Sequence, residues 1–407
     1  MNKPKYRFRQ FSADWETEKL GHFAEKVSER NASGQVTEVF TNSASLGIIS
    51  QRDYFSHDIA QKGKTKGYTL VENDDFVYNP RVSVTAPVGP ISRNRLGRTG
   101  VMSPLYTVFR VDGIDRRFLE HYFKTTYWHR FMRFNGNSGA RFDRFSISQK
   151  DFFLMPIPNP SEDEQNAIAS FMEDLNGVIN GMSEKISSLK SLKACCLINL
   201  FPTIESLEPK IRLKGFSGPW NRQKLEEYLT IRDDIAGINF TKEDVLSVSG
   251  DYGVVNQIEF QGRSFAGASI SNYRVVNKGN VVYTKSPLKA NPYGIIKTAK
   301  KEEGIVSPLY AVYDPKESCD PDFVQTYFES KERLNLYLRP LVNKGAKNTL
   351  LISDEAALQG DVVFPKKEEQ QAITAFFTEL DGLIRLHEEE LDKFKSLKLS
   401  YLQGLYV

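Results

Sequence analysis

Apolar residues recur with the spacing of a coiled coil in two stretches of this chain. In each stretch the steps between them alternate between four and three residues, which is typical of helices that pack along a shared seam. The seam positions of the first stretch are Ile168, Met172, Leu175, Ile179, Met182, Ile186 and Leu189. Those of the second stretch are Ile373, Phe377, Leu380, Ile384, His387, Leu391 and Phe394. The pattern predicts two helices of about 38 residues, roughly 162–200 and 368–405, each ~57 Å long.

The two predicted helices are also similar in sequence. Residues 164–179 and 369–384 are identical at eight of sixteen positions, without a gap, at an offset of 205 residues. The tetrapeptide Lys-Ser-Leu-Lys at 190–193 recurs at 395–398. A period this long in two copies indicates a duplicated half-molecule. The alternative is two amphipathic helices buried in separate domains, but stripes so long and so alike favour helices that pack on each other.

Both helices carry signals at their starts and a glycine in the middle. Ser161 and Glu164 have the spacing of a capping box, in which each side chain bonds the other residue's backbone. Gly177 and Gly382 occupy equivalent positions inside the helices, where glycine costs about 1 kcal/mol relative to alanine. We expect a close approach of two helix backbones at these glycines as compensation.

A second repeated segment precedes each half. Residues 4–20 return as residues 209–225 with eight of seventeen positions identical, again at an offset of 205. Aromatic residues are kept in both copies, at Phe11 and Phe216 and at Trp15 and Trp220. Large aromatic side chains bury much apolar surface, so we predict that they anchor these leading segments onto each half.

Short β-like runs separated by Gly, Pro, Ser and Asn fill the regions between leading segment and helix. Residues 100–109 correspond to 304–313, whereas 51–98 and its counterpart near 256–301 have little in common. A retained framework with divergent loops is typical of two related modules that bind different ligands. The predicted fold is two mixed α/β (α+β) domains with two long helices, and the predicted segments are residues 1–158, 159–208, 209–363 and 364–407.

Composition limits the class of protein. The chain has 407 residues, 40% of them hydrophobic and 26% charged, which suits a globular protein of more than one domain. The net charge of +3 excludes a uniformly basic nucleic-acid-coating protein but allows basic patches. The cysteines Cys195, Cys196 and Cys319 have no metal-ligand spacing, and no signal peptide or apolar run of ~20 residues is visible. We expect a cytoplasmic protein.

Positive charge is concentrated in loops of the two variable regions. In the first half the candidate DNA-binding residues are Arg81, Arg93, Arg95, Arg98, Arg130, Arg133, Asn135, Arg141 and Arg144. In the second half they are Lys285, Lys289, Lys297, Lys300, Asn343, Lys344, Lys347 and Asn348. Lysine and arginine neutralise phosphates, and arginine and asparagine can read base edges. A single cluster could be an ordinary solvated loop, but clusters in both repeats favour DNA binding.

Motifs for catalysis fail on inspection. Gly63-Lys64-Thr65 lacks the first glycine of a phosphate loop, because Asp58 stands at that position. Asn291-Pro292-Tyr293 is one proline short of a methyltransferase active-site motif, and no glycine-rich cofactor loop precedes it. The stretch Pro321–Lys331 has the letters of a nuclease metal site at too short a spacing. The sequence predicts no catalytic residue and no metal site.

Taken together, these features resemble the specificity subunit of a Type I restriction–modification system. The resemblance covers essentially the whole chain and is carried by the leading motif PKIRLKGFSGPW, the stretch GARFDRFSISQKDFFLMPIPNP and the helix openings EQxAIxxFxxxLxGxI. A departure is the Pro-Pro that usually precedes the helix, which is Pro158-Asn159-Pro160 and Phe364-Pro365-Lys366 here. That departure leaves the angle of helix entry open.

The resemblance implies two target-recognition domains, each reading one half of a split DNA sequence, separated by two long helices in an antiparallel coiled coil. It also implies two docked methyltransferase (modification) subunits and restriction motor-nuclease subunits. S-adenosylmethionine, ATP and Mg would be bound by those partners and not by this chain. Because the two variable regions differ, we expect an asymmetric target whose half-sites lie roughly one helical turn apart.

Two functions of other classes stay open from the residues alone. One is a single-chain restriction nuclease or DNA methyltransferase with a diverged active site. The other is a coiled-coil scaffold whose modules bind protein.

Overall fold

The computed structural model describes residues 3–54, 64–138, 143–203, 205–267, 269–288, 291–300, 303–344 and 350–407. The chain divides into two compact units. Unit 1 comprises Met1–Ser183 and Glu389–Val407, and unit 2 comprises Glu184–Glu388. Each unit therefore contains part of both long helices, whereas the predicted segments treat each helix as a segment of its own.

Unit 1 is built from short strands and helices before its first long helix. Its strands are β1 (Glu16–Lys19), β2 (Ala24–Lys26), β3 (Phe40–Ser43), β4 (Gly47–Ser50), β5 (Thr69–Val71), β6 (Phe76–Tyr78), β7 (Ile91–Arg93), β8 (Gly100–Met102), β9 (Thr107–Val111), β10 (Asn137–Ser138), β11 (Phe145–Ser146) and β12 (Pro156–Asn159). The helices are α1 (Leu20–Phe23), α2 (Gln51–Tyr54), α3 (Arg116–Tyr122), α4 (Tyr127–Asn135), α5 (Gln149–Phe152) and the long α6 (Glu162–Asn199).

Unit 2 repeats this order. Its strands are β13 (Asn221–Lys224), β14 (Leu229–Ile231), β15 (Leu246–Ser249), β16 (Gly253–Asn256), β17 (Arg274–Val276), β18 (Val281–Thr284), β19 (Ile295–Thr298), β20 (Gly304–Val306), β21 (Tyr310–Pro315), β22 (Asn343–Lys344), β23 (Leu350–Leu351) and β24 (Asp361–Phe364). The helices are α7 (Gln257–Gln261), α8 (Pro321–Tyr327), α9 (Lys331–Leu338) and the long α10 (Lys367–Gly404).

Each unit contains the same antiparallel four-stranded sheet. The strand order is β2-β9-β6-β7 in unit 1 and β14-β21-β18-β19 in unit 2. A separate pair joins the leading segment to the strand before the long helix, β1 with β12 and β13 with β24. The partners Glu16 and Asn159 in the first pair correspond to Asn221 and Phe364 in the second, at the predicted offset of 205. The mixed α/β fold and the internal repeat are confirmed.

The long helices have the predicted extent, 38 residues each. The half-buried seam residues are Ile179, Met182, Leu189, His387 and Phe394, and the other predicted seam residues are buried. Within unit 2, Lys193 on α6 pairs with Asp381 on α10 at 2.7 Å, and the earlier Lys190 pairs with the later Glu388 at 2.6 Å. This order makes the two helices antiparallel.

The core of each unit also includes residues at the C-terminal end of one long helix, α10 in unit 1 and α6 in unit 2. In unit 1, Leu402, Leu405 and Tyr406 pack among residues such as Phe118, whose ring lies 5.0 Å from that of Tyr406. In unit 2, Leu200 and Phe201 occupy the corresponding place, with Phe201 5.7 Å from Phe323. The predicted anchors Trp15 and Trp220 are buried beside the same phenylalanines, at 6.0 and 6.1 Å.

Two local predictions at the helices are wrong. A Cβ added to Gly177 or Gly382 would meet no described atom within 4 Å, so these glycines mark no close backbone approach. The capping box at α6 is only half formed. The Glu164 backbone N–H donates to Ser161 Oγ at 3.4 Å, but the Glu164 carboxylate accepts two hydrogen bonds of 2.7 Å from Arg7 instead.

No helix among the described residues has the length and apolar character needed to cross a membrane.

Candidate nucleic-acid interface

Helix α4 presents basic side chains on the outside of unit 1. Trp128 and Met132 are one turn apart and buried, so this face fixes the helix on the core. The Trp128 indole N–H donates to the Phe123 carbonyl at 3.1 Å. Arg130 and Arg133 lie on the opposite side and are exposed. The last helical residue, Asn135, donates to the Phe131 carbonyl at 2.9 Å, so its amide stabilises the helix end.

A cleft lies between α4 and the loop that follows β6. Its volume is about 520 Å³, and its lining residues are Val84, Thr85, Pro87, Thr126, His129, Arg130 and Arg133. The lining contains no carboxylate. Burial and the neighbouring Arg133 lower the pKa of His129, so the imidazole is neutral at pH 7 and can donate or accept a hydrogen bond. This combination of positive charge, hydroxyl groups and apolar surface suits a phosphate or a base edge.

Two further predicted arginines lie beside each other in unit 1. Arg81 pairs with Arg144 in an isolated β-bridge. Arg81 is exposed, and Arg144 is half-buried with its Nε 3.9 Å from the Asp143 carboxylate. Within the described part of the chain, Arg81, Arg130 and Arg133 have no acidic partner. Their charges are thus available to a ligand.

Three other predicted arginines of unit 1 have internal partners. Arg93 is 8% exposed and contacts Glu120 at 2.9 Å and Asp74 at 3.2 Å. Arg95 pairs with Glu173 of α6 at 2.7 Å. Arg98 pairs with Glu38 at 3.3 Å. These pairs neutralise the charges that the sequence presents as free, so a DNA contact by these arginines stays a prediction with less support than one by the cleft arginines.

The predicted lysines of unit 2 are more dispersed. Lys285 contacts the buried Asp354 at 2.9 Å, which also accepts from Arg274 at 2.6 Å. Lys297 is half-buried on β19, and burial lowers its pKa. Lys300 is exposed and lies 3.5 Å from Asp322.

Some predicted residues cannot be placed in an interface. Asn343 is exposed on β22. Lys344 lies on the same strand, opposite Leu350, and its side chain is outside the described part of the structure. Arg141, Lys289, Lys347 and Asn348 lie outside the described residues.

Unit 2 has an exposed aromatic surface that the clusters of basic residues in the sequence do not predict. Tyr252, at the tip of the β15–β16 hairpin, is 71% exposed and lies 5.5 Å from the exposed ring of Phe260 on α7. The Arg263 guanidinium lies 4.5 Å from the ring of Phe265, which is 55% exposed. The spacing of Tyr, Phe, Arg and Phe within 252–265 is the sequence signal for this surface, since contiguous exposed apolar patches mark interaction sites.

The described residues contain no group of three or more His, Cys, Asp or Glu side chains arranged to hold a metal ion. Asp322, which belongs to the rejected nuclease-like stretch, lies near the start of α8 beside Lys300.

The fold is that of the S subunits of Type I restriction–modification systems. The S subunit of the Type I system from M. genitalium matches with a TM-score of 0.54 at 12% identity, covering 99% of both chains. A chain from a structure that describes complex assembly and conformational transition of the type I R-M system matches with a TM-score of 0.51 at 14% identity, covering 96% of this chain and 97% of that chain.

The HsdS subunit from Thermoanaerobacter tengcongensis has a TM-score of 0.49 at 15% identity over 96% of both chains. No protein-family model matches the chain, and no curated protein does. At these identities the similarity to the solved structures concerns the fold.

Proposed function

We propose that this chain is the sequence-specific DNA-binding subunit of a Type I restriction–modification complex. The observation that carries the proposal is a fold shared with S subunits over 96% and more of both chains. Each unit then reads one half of a bipartite target, and the chain itself performs no catalysis.

The cleft of unit 1 is the proposed reading surface of the first half. Its unpaired arginines can contact phosphates or take guanine bidentately. Phe134 at the end of α4 is 89% exposed, and Val84 on the facing loop is fully exposed. Apolar side chains so placed can contact a thymine methyl group or insert at a base step.

The aromatic hairpin surface of unit 2 is the proposed reading surface of the second half. Rings such as Tyr252 and Phe260 offer faces for stacking or wedging, and Arg263 adds a positive charge beside them. Because one surface is rich in arginine and the other in aromatic rings, the two half-sites differ. Binding of one half-site makes binding of the other nearly intramolecular, which raises the affinity for the complete target.

We propose that the long helices carry the partner subunits. Two large apolar residues on α6, Val178 and Leu192, are 45% and 49% exposed. Their equivalents on α10 at an offset of 205, Leu383 and Leu397, are 40% and 46% exposed. Matched apolar positions in both repeats suit two copies of one partner, the methyltransferase subunit, with restriction subunits added to that complex. S-adenosylmethionine, ATP and Mg belong to those partners in this proposal.

A substitution in the cleft tests the proposal. We expect the double variant Arg130→Ala/Arg133→Ala to bind its target at least tenfold more weakly, because each arginine contact to a base contributes ~1–3 kcal/mol. If the contacts are to phosphates, the slope of log affinity against log salt falls by ~0.9 for each one. The measurement is a mobility-shift or anisotropy titration with target DNA, which is found by mapping methylated sites after co-expression with the partner subunits.

The matched control is Lys19→Ala, since Lys19 is an exposed basic residue on β1 of the same unit and does not line the cleft. Equal affinities of both variants and the wild type would remove the cleft from the interface. Methyl transfer or DNA cleavage by the purified chain alone, supplied with S-adenosylmethionine and Mg, would contradict the proposed function itself.

A further inference from the structure

The internal repeat places the same lysine of the Lys-Ser-Leu-Lys motif in two different environments. In unit 2, Lys193 of α6 contacts Glu329 at 2.6 Å and Asp381 at 2.7 Å. Burial acts to lower the pKa of this lysine, but the hydrogen bonds that it donates to the two carboxylates raise the pKa overall. The Lys193 side chain is 15% exposed, and its charge is compensated within the unit.

The equivalent lysine of unit 1 lacks this compensation. At an offset of 205, Lys193 corresponds to Lys398, Glu329 to Lys124 and Asp381 to Asn176. One carboxylate of unit 2 is therefore a second lysine in unit 1, and the other is a neutral amide. Lys398 is half-buried, and across the described residues it forms no ion pair or hydrogen bond. Burial and the nearby Lys124 lower its pKa.

The other charged groups near Lys398 and Lys124 do not cancel the excess positive charge. Glu120 is buried and divides its carboxylate between Lys124 at 2.9 Å and Arg93 at 2.9 Å, with Arg95 at 3.7 Å. Arg93 and Arg95 have further partners in Asp74 and Glu173, which leaves Lys398 as the charge without a counterpart.

A buried histidine lies in the same electrostatic environment. His121 is fully buried, and neither ring nitrogen has a hydrogen-bond partner in the described structure. Burial lowers the pKa of this imidazole most; Lys124 and Lys398 lower it further, and Glu120 acts in the opposite direction. A half-buried positive charge next to an unsatisfied polar group is unfavourable unless an anion compensates it.

We infer that Lys398 and Lys124 form a docking point for a carboxylate side chain of a protein partner, whereas unit 2 fills the same position with its own carboxylates. A protein carboxylate is favoured over a DNA phosphate because Glu329 and Asp381 are the groups that fill this place in the other repeat. Leu397, the neighbour of Lys398 in sequence, is 46% exposed and lines a shallow groove on α10 together with Glu389, Asp392, Lys393, Ser396 and Ser400. An apolar side chain of the partner would contact Leu397, and a carboxylate of the partner would pair with Lys398 and Lys124 outside this groove.

The inference rests on the proposed function, in which the partner is the methyltransferase subunit. It adds that the two copies of that subunit bind unequally. The copy at unit 1 gains an ion pair with this chain, and the copy at unit 2 does not.

The decisive variant is Asn176→Asp, which gives unit 1 the carboxylate that unit 2 has at Asp381. We expect Lys398 to pair internally, so that unit 1 melts at a higher temperature while one of two methyltransferase subunits binds about tenfold more weakly. Lys398→Gln should weaken the same single copy without the gain in melting temperature. The control Lys395→Gln, an exposed lysine on the same helix, should leave both copies unchanged.

The measurement is a calorimetric titration of the methyltransferase subunit into the full chain, with stoichiometry from native mass spectrometry. Unchanged affinity of both copies in Asn176→Asp and Lys398→Gln overturns the inference, as does a loss of DNA binding by Lys398→Gln with partner binding intact. Failure of the wild-type chain to bind any methyltransferase subunit would instead refute the proposed function, and the inference with it.

Discussion

Arg7 and Arg212 show how much the sequence alone can predict about a single residue. Both belong to the repeated leading segments, and the sequence marks them as shared without indicating a partner. In the structure Arg7 forms a bidentate pair with Glu164 at 2.7 Å, and Arg212 forms the same pair with Glu369. Each pair ties a leading segment to the first turn of a long helix. The contact joins residues 157 positions apart, so no local pattern could reveal it.

His121 gives a residue-scale prediction about pH. Burial lowers its pKa to about 3, from a value near ~6.5 in the unfolded chain. Between these values the unfolded state binds the extra proton, so this residue makes stability fall as pH decreases. From pH 7 to pH 5 we expect unit 1 of the wild type to lose about 2 kcal/mol more unfolding free energy than the His121→Phe variant.

Denaturant titrations at the two pH values measure this difference. The comparison uses the change with pH in each protein, so a uniform effect of the substitution on packing cancels. Parallel pH profiles would show that the imidazole is already protonated, or solvated, in the native state.

At the scale of elements, the ends of the long helices could be predicted to within about a residue or two, because the 3.5-residue apolar period is local and appears twice.

The sheets could not be predicted from the sequence. Strands β6 and β18 are equivalent, and the Tyr78 and Tyr283 hydroxyls donate to the carbonyls of Val88 and Tyr293 in the same way. The sequences around them have diverged. These strands are only three and four residues long, so no local pattern predicts them and their register depends on packing. The cleft was half predictable: α4 supplies arginines that the sequence marks, but the facing loop is placed by tertiary contacts.

The helix glycines allow a prediction at this scale. Since no described atom would contact a Cβ at Gly177 or Gly382, we expect alanine at either position to stabilise the protein by about 0.5–1 kcal/mol. Thermal and denaturant unfolding of the two single variants measure the effect. Gly89→Ala is the opposing control, because Gly89 has a φ of +84° and its Cβ would lie 2.0 Å from the Asn79 carbonyl oxygen. A loss of stability in the helix variants would mean that the glycines have a partner-dependent or conformational role.

For the whole molecule, the proposed role of the helices as a spacer predicts a change in the DNA target. Removing residues 182–188 and the equivalent 387–393 shortens both helices by one heptad, which is ~10 Å. At ~3.4 Å per base pair we expect the gap between half-sites to shrink by about three base pairs. Mapping of methylated sites after co-expression with the partner subunits measures the gap. Removal of a heptad from α6 alone should prevent assembly, because the seams no longer match; an unchanged gap in the paired variant would rule out the spacer role.

The ends of the long helices have a consequence for biosynthesis. Unit 2 is one continuous stretch of chain, so all of its residues have been synthesised once residue 388 is added. Unit 1 begins first but needs Leu402, Leu405 and Tyr406 to fill its core. Unit 1 therefore stays incompletely packed until residues 402–406 are synthesised, which is after every residue of unit 2. A frameshift within the codons for residues 389–407 would therefore damage the packing of unit 1, most of which is encoded before unit 2.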